Sequence, residues 1–215
     1  MITLDKRLRA GVEVPDTEII DRAIEYAREE CEPYLFNHVM RSWLFAVCFG
    51  KHRRIVYDAE MVAVGTLLHD ITLNESFAGP RRFEVEAADQ VMAFVSDAGV
   101  DDRRGRLAWD IVALNSTPSI AFYKQPEVAL ATAGIALDAV GAQYDELPKS
   151  EIDAILAEFP RMGLKDRFVR CFTHIAKACP ETTYDNFVRD FGERFVPGYH
   201  APSSVDWVLN APFKE

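Results

Sequence analysis

The stretch Met61 to Asp70, MVAVGTLLHD, decides how the rest of the chain is read. Asp58 just before it is a suitable N-cap, and the residues from Met61 to Leu68 contain no charge. A helix that is apolar on every side must be covered on every side, so this one belongs inside a larger helical assembly. It ends in two ionisable residues side by side, His69 and Asp70. Two other stretches have the same character. YLFNHVMRSWLFAV (34–47) surrounds His38 with aromatic and aliphatic residues, and EVALATAGIALDAVGA (127–142) contains Asp138 as its one charge after Glu127.

Working outward, apolar positions three and four apart predict further helices over 17–31, 34–50, 58–70, 83–97, 102–114, 126–141, 150–158, 164–178 and 183–191. Asn74, Gly79 and Pro80 break the pattern after the His-Asp pair, and VPGYHAPSS (196–204) breaks it near Trp207 and Leu209. IVYDA (55–59) and FVPGY (195–199) are too short and interrupted to be strands, so no strand is expected. The expected fold is an all-α helical bundle, read as a single domain over 1–215. Its core spans about 20–145, with C-terminal helices and a Pro/Gly-rich tail over 146–215.

Composition narrows the class. The 215 residues carry 24 basic and 34 acidic side chains, a formal net charge of −10. That balance argues against nucleic acid or an anionic membrane as the partner, since both demand clustered positive charge. No apolar run reaches the ~18 residues of a membrane span. The opening MITLDKRLRAGVEVPD lacks the apolar middle of a secretory signal, and Cys31, Cys48, Cys171 and Cys179 form no CxxC pair. The expectation is a cytoplasmic protein with reduced, mostly buried thiols, a small-molecule substrate and, as a general prior, a homodimeric state.

The polar residues inside the apolar helices carry the functional reading. A buried carboxylate is costly unless paired or bound to a metal. Two such carboxylates, Asp70 and Asp138, with two histidines, His38 and His69, share one economical solution, a cation. His69 and Asp70 are adjacent and point about 100° apart on a regular helix, so both reach one ion only at a helix end. Gly65 and Gly134 each lie one turn before a ligand candidate, where a small residue lets helices approach closely.

The order His38, His69-Asp70, Asp138 on successive helices resembles the signature of the HD-domain superfamily of metal-dependent hydrolases. NHVMRSWLFA (37–46), LLHDITL (67–73), RRFEVEAAD (81–89), WDIVALNSTPSIA (109–121) and PEVALATAGIALDAVG (126–141) resemble more narrowly its cyanamide-hydratase-like branch. The likeness covers about 20–145 well and 150–195 more loosely. It implies a helical bundle in which His38, His69, Asp70 and Asp138 bind one divalent ion, Zn, Fe or Mn, and it makes Glu84 a candidate supporting residue. The branch often has a histidine where this chain has Asn115, and no histidine occurs from 71 to 173, which speaks against a second metal.

A bound ion of this kind presents hydroxide near neutral pH and polarises a substrate atom. Asp70 is then both ligand and proton acceptor. Arg41, three residues after His38, lies on the same helix face and is expected to neutralise the aspartates or bind a substrate anion. Asp70, Arg41, Glu84 and Asn115 are the candidate catalytic residues, with Thr117 as a pocket-lining candidate. His52, His174 and His200 are not expected to be ligands; the segment around His200 is a candidate lid, and Phe77 a candidate water-excluding ring. The expected activity is hydration or hydrolysis of a small neutral nitrogen compound such as cyanamide or a nitrile. The alternatives are a phosphohydrolase, for which Arg41, Arg81 and Arg82 are the cations at hand, and a non-catalytic binding module.

Overall fold

A computed structural model describes residues 5–213; Met1–Leu4, Lys214 and Glu215 of the expected 1–215 span lie outside the described residues. In chain order the elements are β1 (Lys6–Arg9), β2 (Val12–Pro15), α1 (Glu18–Glu30), α2 (Pro33–Arg53), α3 (Ala59–Leu68), α4 (Phe83–Asp97), α5 (Asp102–Ala113), α6 (Pro118–Ala121), α7 (Pro126–Val140), α8 (Lys149–Glu158), α9 (Leu164–Ala178), α10 (Val188–Phe195) and α11 (Ser204–Leu209). Single 3₁₀ turns occupy Tyr144–Glu146 and Pro180–Thr182. The fold is all-α apart from one hairpin.

Each core helix is explained by its own residues. Pro33 starts α2, whose residues from Tyr34 to Gly50 are nearly all buried, and Arg54 ends it in the left-handed conformation. The Asp58 carboxylate accepts from the Met61 amide and opens α3, where every residue from Met61 to Leu68 is buried. Asp101 caps α5 by accepting from the Arg103 and Arg104 amides. Gly141, at φ +76°, closes α7 in the conformation that favours glycine.

The packing that positions the site is the α2–α7 crossing. A Cβ at Gly134 would lie 2.2 Å from the Ser42 carbonyl and 2.6 Å from the Ala46 amide, so the two backbones touch there. Gly134 meets Ser42 and Ala46 while Asp138 meets His38 and Arg41, so the helices run antiparallel. Gly65 has the same function on α3, where Ile111 of α5 fills the space a Cβ would take.

Three sequence expectations are corrected. No strand was expected, yet β1 and β2 pair antiparallel, Lys6 opposite Pro15 and Arg9 opposite Val12. Ala10 and Gly11, both at positive φ, make the two-residue turn, and Val12 and Val14 face the core. The helix expected over 183–191 begins at Val188 instead. The Asn186 side chain accepts from the Val188 amide, and Thr183 bonds the Pro180 carbonyl, which diverts the backbone into turns. The short helices α6 and α11 lie outside the helix ranges expected from the periodicity. Cys31, Cys48 and Cys171 are buried free thiols, and Cys179 is half-buried. Among the described residues, no helix is long and apolar enough to cross a membrane.

Candidate metal centre

His38 sits in the second turn of α2, His69 at the C-terminal cap of α3, and Asp70 in the turn that follows. That turn solves the problem of adjacent ligands: the helix has ended, so both side chains are free to face the same point. His38 Nε2 lies 3.2 Å from His69 Nε2 and 3.5 Å from Asp70 Oδ2; His69 Nε2 lies 3.2 Å from Asp70 Oδ2. Relative exposures are 1% for each histidine and 4% for Asp70.

The other ring nitrogens determine what these three atoms offer. His69 Nδ1 is 2.8 Å from the Thr66 carbonyl, which only accepts, so the proton is on Nδ1. His38 Nδ1 is 2.6 Å from Asp138 Oδ2 and donates to it. In the neutral rings both Nε2 atoms are therefore lone pairs, and they face each other beside a carboxylate oxygen. Three acceptors converge with no donor between them. Atoms bound at 2.0–2.1 Å to a tetrahedral ion lie about 3.3 Å apart, close to the three separations observed. The residues fit a divalent cation, and two imidazoles with one carboxylate suit Zn, Fe or Mn.

Electrostatics sets the charge state of each of these groups. Burial pushes the His38 pKa below its ordinary value, despite the Asp138 carboxylate, so that ring is neutral near pH 7. Burial also pushes against charge on His69, but Asp70 and the Thr66 carbonyl outweigh it and raise its pKa, so a proton competes for the same spot. Asp70 and Asp138 are both held below the ordinary carboxylate range. Burial opposes this, but His69 with His38 outweighs it for Asp70, and His38 with Arg41 does so for Asp138.

The other expected residues are placed elsewhere. Asp138, near the end of α7, lies behind His38 and does not join the three converging atoms. Arg41 is fully buried: Nε and Nη2 donate to Asp138 at 2.7 and 2.8 Å, and Nη1 to the Phe159 and Pro160 carbonyls at 2.9 and 3.1 Å. It therefore fills the neutralising half of its expected role; its anchoring leaves it unsuited to gripping a substrate anion. Glu84 is wholly buried but accepts from Arg82 at 2.8 Å and from the Ser116 hydroxyl at 2.5 Å. Asn115 donates to the Val112 carbonyl at 2.7 Å and finishes α5, and Thr117 precedes α6 as its N-cap without a side-chain cap bond.

His52 pairs with Glu151 at the surface, and His174 donates to the Phe77 carbonyl, pinning the loop after Asp70 to α9. Phe77 is buried in that loop. His200 lines a separate groove of about 580 Å³ with Lys177, Tyr184 and Tyr199, so its segment is not a cover over the three donors. Two residues that sequence reasoning missed touch the centre. Phe168 of α9 stands edge-on to His38, ring centroids 5.0 Å apart. Arg161 donates to Asp138 Oδ1 at 3.1 Å and to its carbonyl at 2.7 Å. No local pattern marks either, because each arrives from an element remote in the chain. No protein-family model matches this chain, and no curated protein matches it.

Proposed function

We propose that His38, His69 and Asp70 hold one divalent cation and that the protein is a metal-dependent hydratase or hydrolase of the HD type, acting on a small neutral nitrogen compound of the cyanamide or nitrile class. The observation that carries this reading is the convergence of three buried acceptors without a donor. A divalent ion bound there supplies Lewis acidity and lowers the pKa of a water molecule towards neutrality. Three protein donors are the pattern of catalytic sites, which keep a position open, whereas structural zinc sites close with four. This favours an enzyme over a non-catalytic module.

The residues around the donors supply the rest. Asp70 offers a carboxylate at the place where a proton must leave attacking water. Phe168 stands over His38, and the surrounding apolar helices keep bulk water from the centre. A neutral substrate fits the charges better than a phosphate ester does. Each arginine that the phosphohydrolase reading needs is already paired: Arg41 with Asp138, Arg81 with Glu86 and Asp89, and Arg82 with Glu84.

The test is elemental analysis of the purified protein and of His69→Ala, followed by assays with cyanamide, simple nitriles and an aryl phosphate. Near-stoichiometric Zn, Fe or Mn that disappears in the variant, with turnover of the nitrogen compounds alone, is expected. Metal-dependent release of phosphate would transfer the assignment to the phosphohydrolase. Absence of metal from both proteins would overturn the reading.

A further inference from the structure

The Asp138 carboxylate accepts four hydrogen bonds. A carboxylate offers about four lone-pair directions. Here Oδ2 accepts from His38 Nδ1 at 2.6 Å and Arg41 Nη2 at 2.8 Å, while Oδ1 accepts from Arg41 Nε at 2.7 Å and Arg161 Nη1 at 3.1 Å. Four donors fill four acceptor sites, and none remains for a cation. Arg41 is itself held by the Phe159 and Pro160 carbonyls, and Arg161 also grips the Asp138 carbonyl. The segment 159–161 thereby closes a clasp over the carboxylate.

We infer that Asp138 is a positioning residue rather than a fourth metal donor: with Arg41 and Arg161 it locks the proton of His38 on Nδ1 and aims the Nε2 lone pair at the point shared with His69 and Asp70. The inference rests on reading those three residues as a cation site. Its chemistry is that of a carboxylate–imidazole pair behind a ligand, which fixes the tautomer, orients the ring and raises its basicity. It leaves three protein donors and thus an open position on the ion for water or a substrate atom. Arg161 is the accessible member of the clasp, with about one third of its side chain exposed against none of Arg41 or Asp138, so its replacement strains the fold least.

The experiment uses the whole chain labelled with ¹⁵N-histidine, first stripped of metal and then titrated with zinc against a competing chelator. Long-range proton–nitrogen correlation in the metal-free protein is expected to show His38 protonated on Nδ1 and bare on Nε2. Arg161→Met and Asp138→Asn are expected to keep one zinc per chain with affinity weakened about 10- to 100-fold. His69→Ala is expected to lose zinc outright. A His38 proton on Nε2 in the wild type overturns the inference, whatever the metal does. So does Asp138→Asn losing zinc as completely as His69→Ala while Arg161→Met binds like the wild type, since that pattern marks a ligand. If the wild type carries its His38 proton on Nδ1 but binds no zinc, the positioning stands and the metal reading of the triad falls.

Discussion

Among the described residues, two buried clusters contain a carboxylate, and they differ in one respect. Glu84 is wholly buried beside Arg82 and Ser116, both of which donate to it, so every lone pair in use has a proton facing it. At His38, His69 and Asp70 the count fails, because three acceptors face one another and their protons are turned outward to Asp138 and Thr66. The first arrangement is complete as it stands. The second can take a cation or, on His69, a proton, which is why burial of a carboxylate alone does not mark a candidate site, whereas an excess of acceptors does.

The largest expected effect separates the two clusters by metal removal. A ligand present at 100 to 1,000 times its dissociation constant stabilises the folded state by roughly 3–4 kcal/mol. At about 2–4 °C per kcal/mol for a chain of this size, stripping the ion should lower Tm by about 10 °C. Thermal unfolding with and without a chelator checks this; the shift should vanish in His69→Ala and persist in Glu84→Gln. Loss of the chelator shift in Glu84→Gln would show that the two clusters act as one.

Next comes the stability of the balanced cluster. Glu84→Gln leaves Arg82 and Ser116 facing a weaker acceptor and should cost about 2 kcal/mol in denaturant unfolding, with metal content unchanged. A third effect concerns acid. The Asp138 pKa is lowered on folding by His38 and Arg41 against the opposing effect of burial, so its contribution is present above the unfolded carboxylate pKa of about 4 and is lost as pH falls through the lower folded value. Metal-free protein should lose stability steadily below about pH 4, and Asp138→Asn should flatten that part of the curve. The smallest effect belongs to Asn115: removing its bond to the Val112 carbonyl should cost about 1 kcal/mol and leave metal content intact. A large loss of metal in Asn115→Ala would bring that residue back to the centre.

Much of this was legible from residue order. The covered helices α2, α3 and α7 announced themselves by apolar runs; of their isolated polar residues, His38, His69 and Asp70 converge, while Asp138 stands behind His38 Nδ1. Gly134 was readable as a close approach, and the structure puts the Ser42 carbonyl there. The hairpin was not readable, because four-residue strands give too few alternations to distinguish from irregular chain. Nor was the start of α10, where a single Asn186 side chain decides the matter. Glu84 and Asn115 were site candidates through likeness alone, and likeness does not say which partner waits across the contact.

Helical period and the cost of burying charge were enough to establish an all-α molecule with a polar centre inside it, since both depend on neighbours within a turn or two. Which atom faces which required the crossing of α2 with α7 and the return of the chain at 159–161. There Arg161, 23 residues after Asp138, donates to both its carboxylate and its carbonyl. Hydrogen bonds form over about 3 Å, and only the folded chain brings donors so distant in sequence to that range. That Asp70 converges with the two histidines while Asp138 accepts from His38, Arg41 and Arg161 is therefore a decision of tertiary packing.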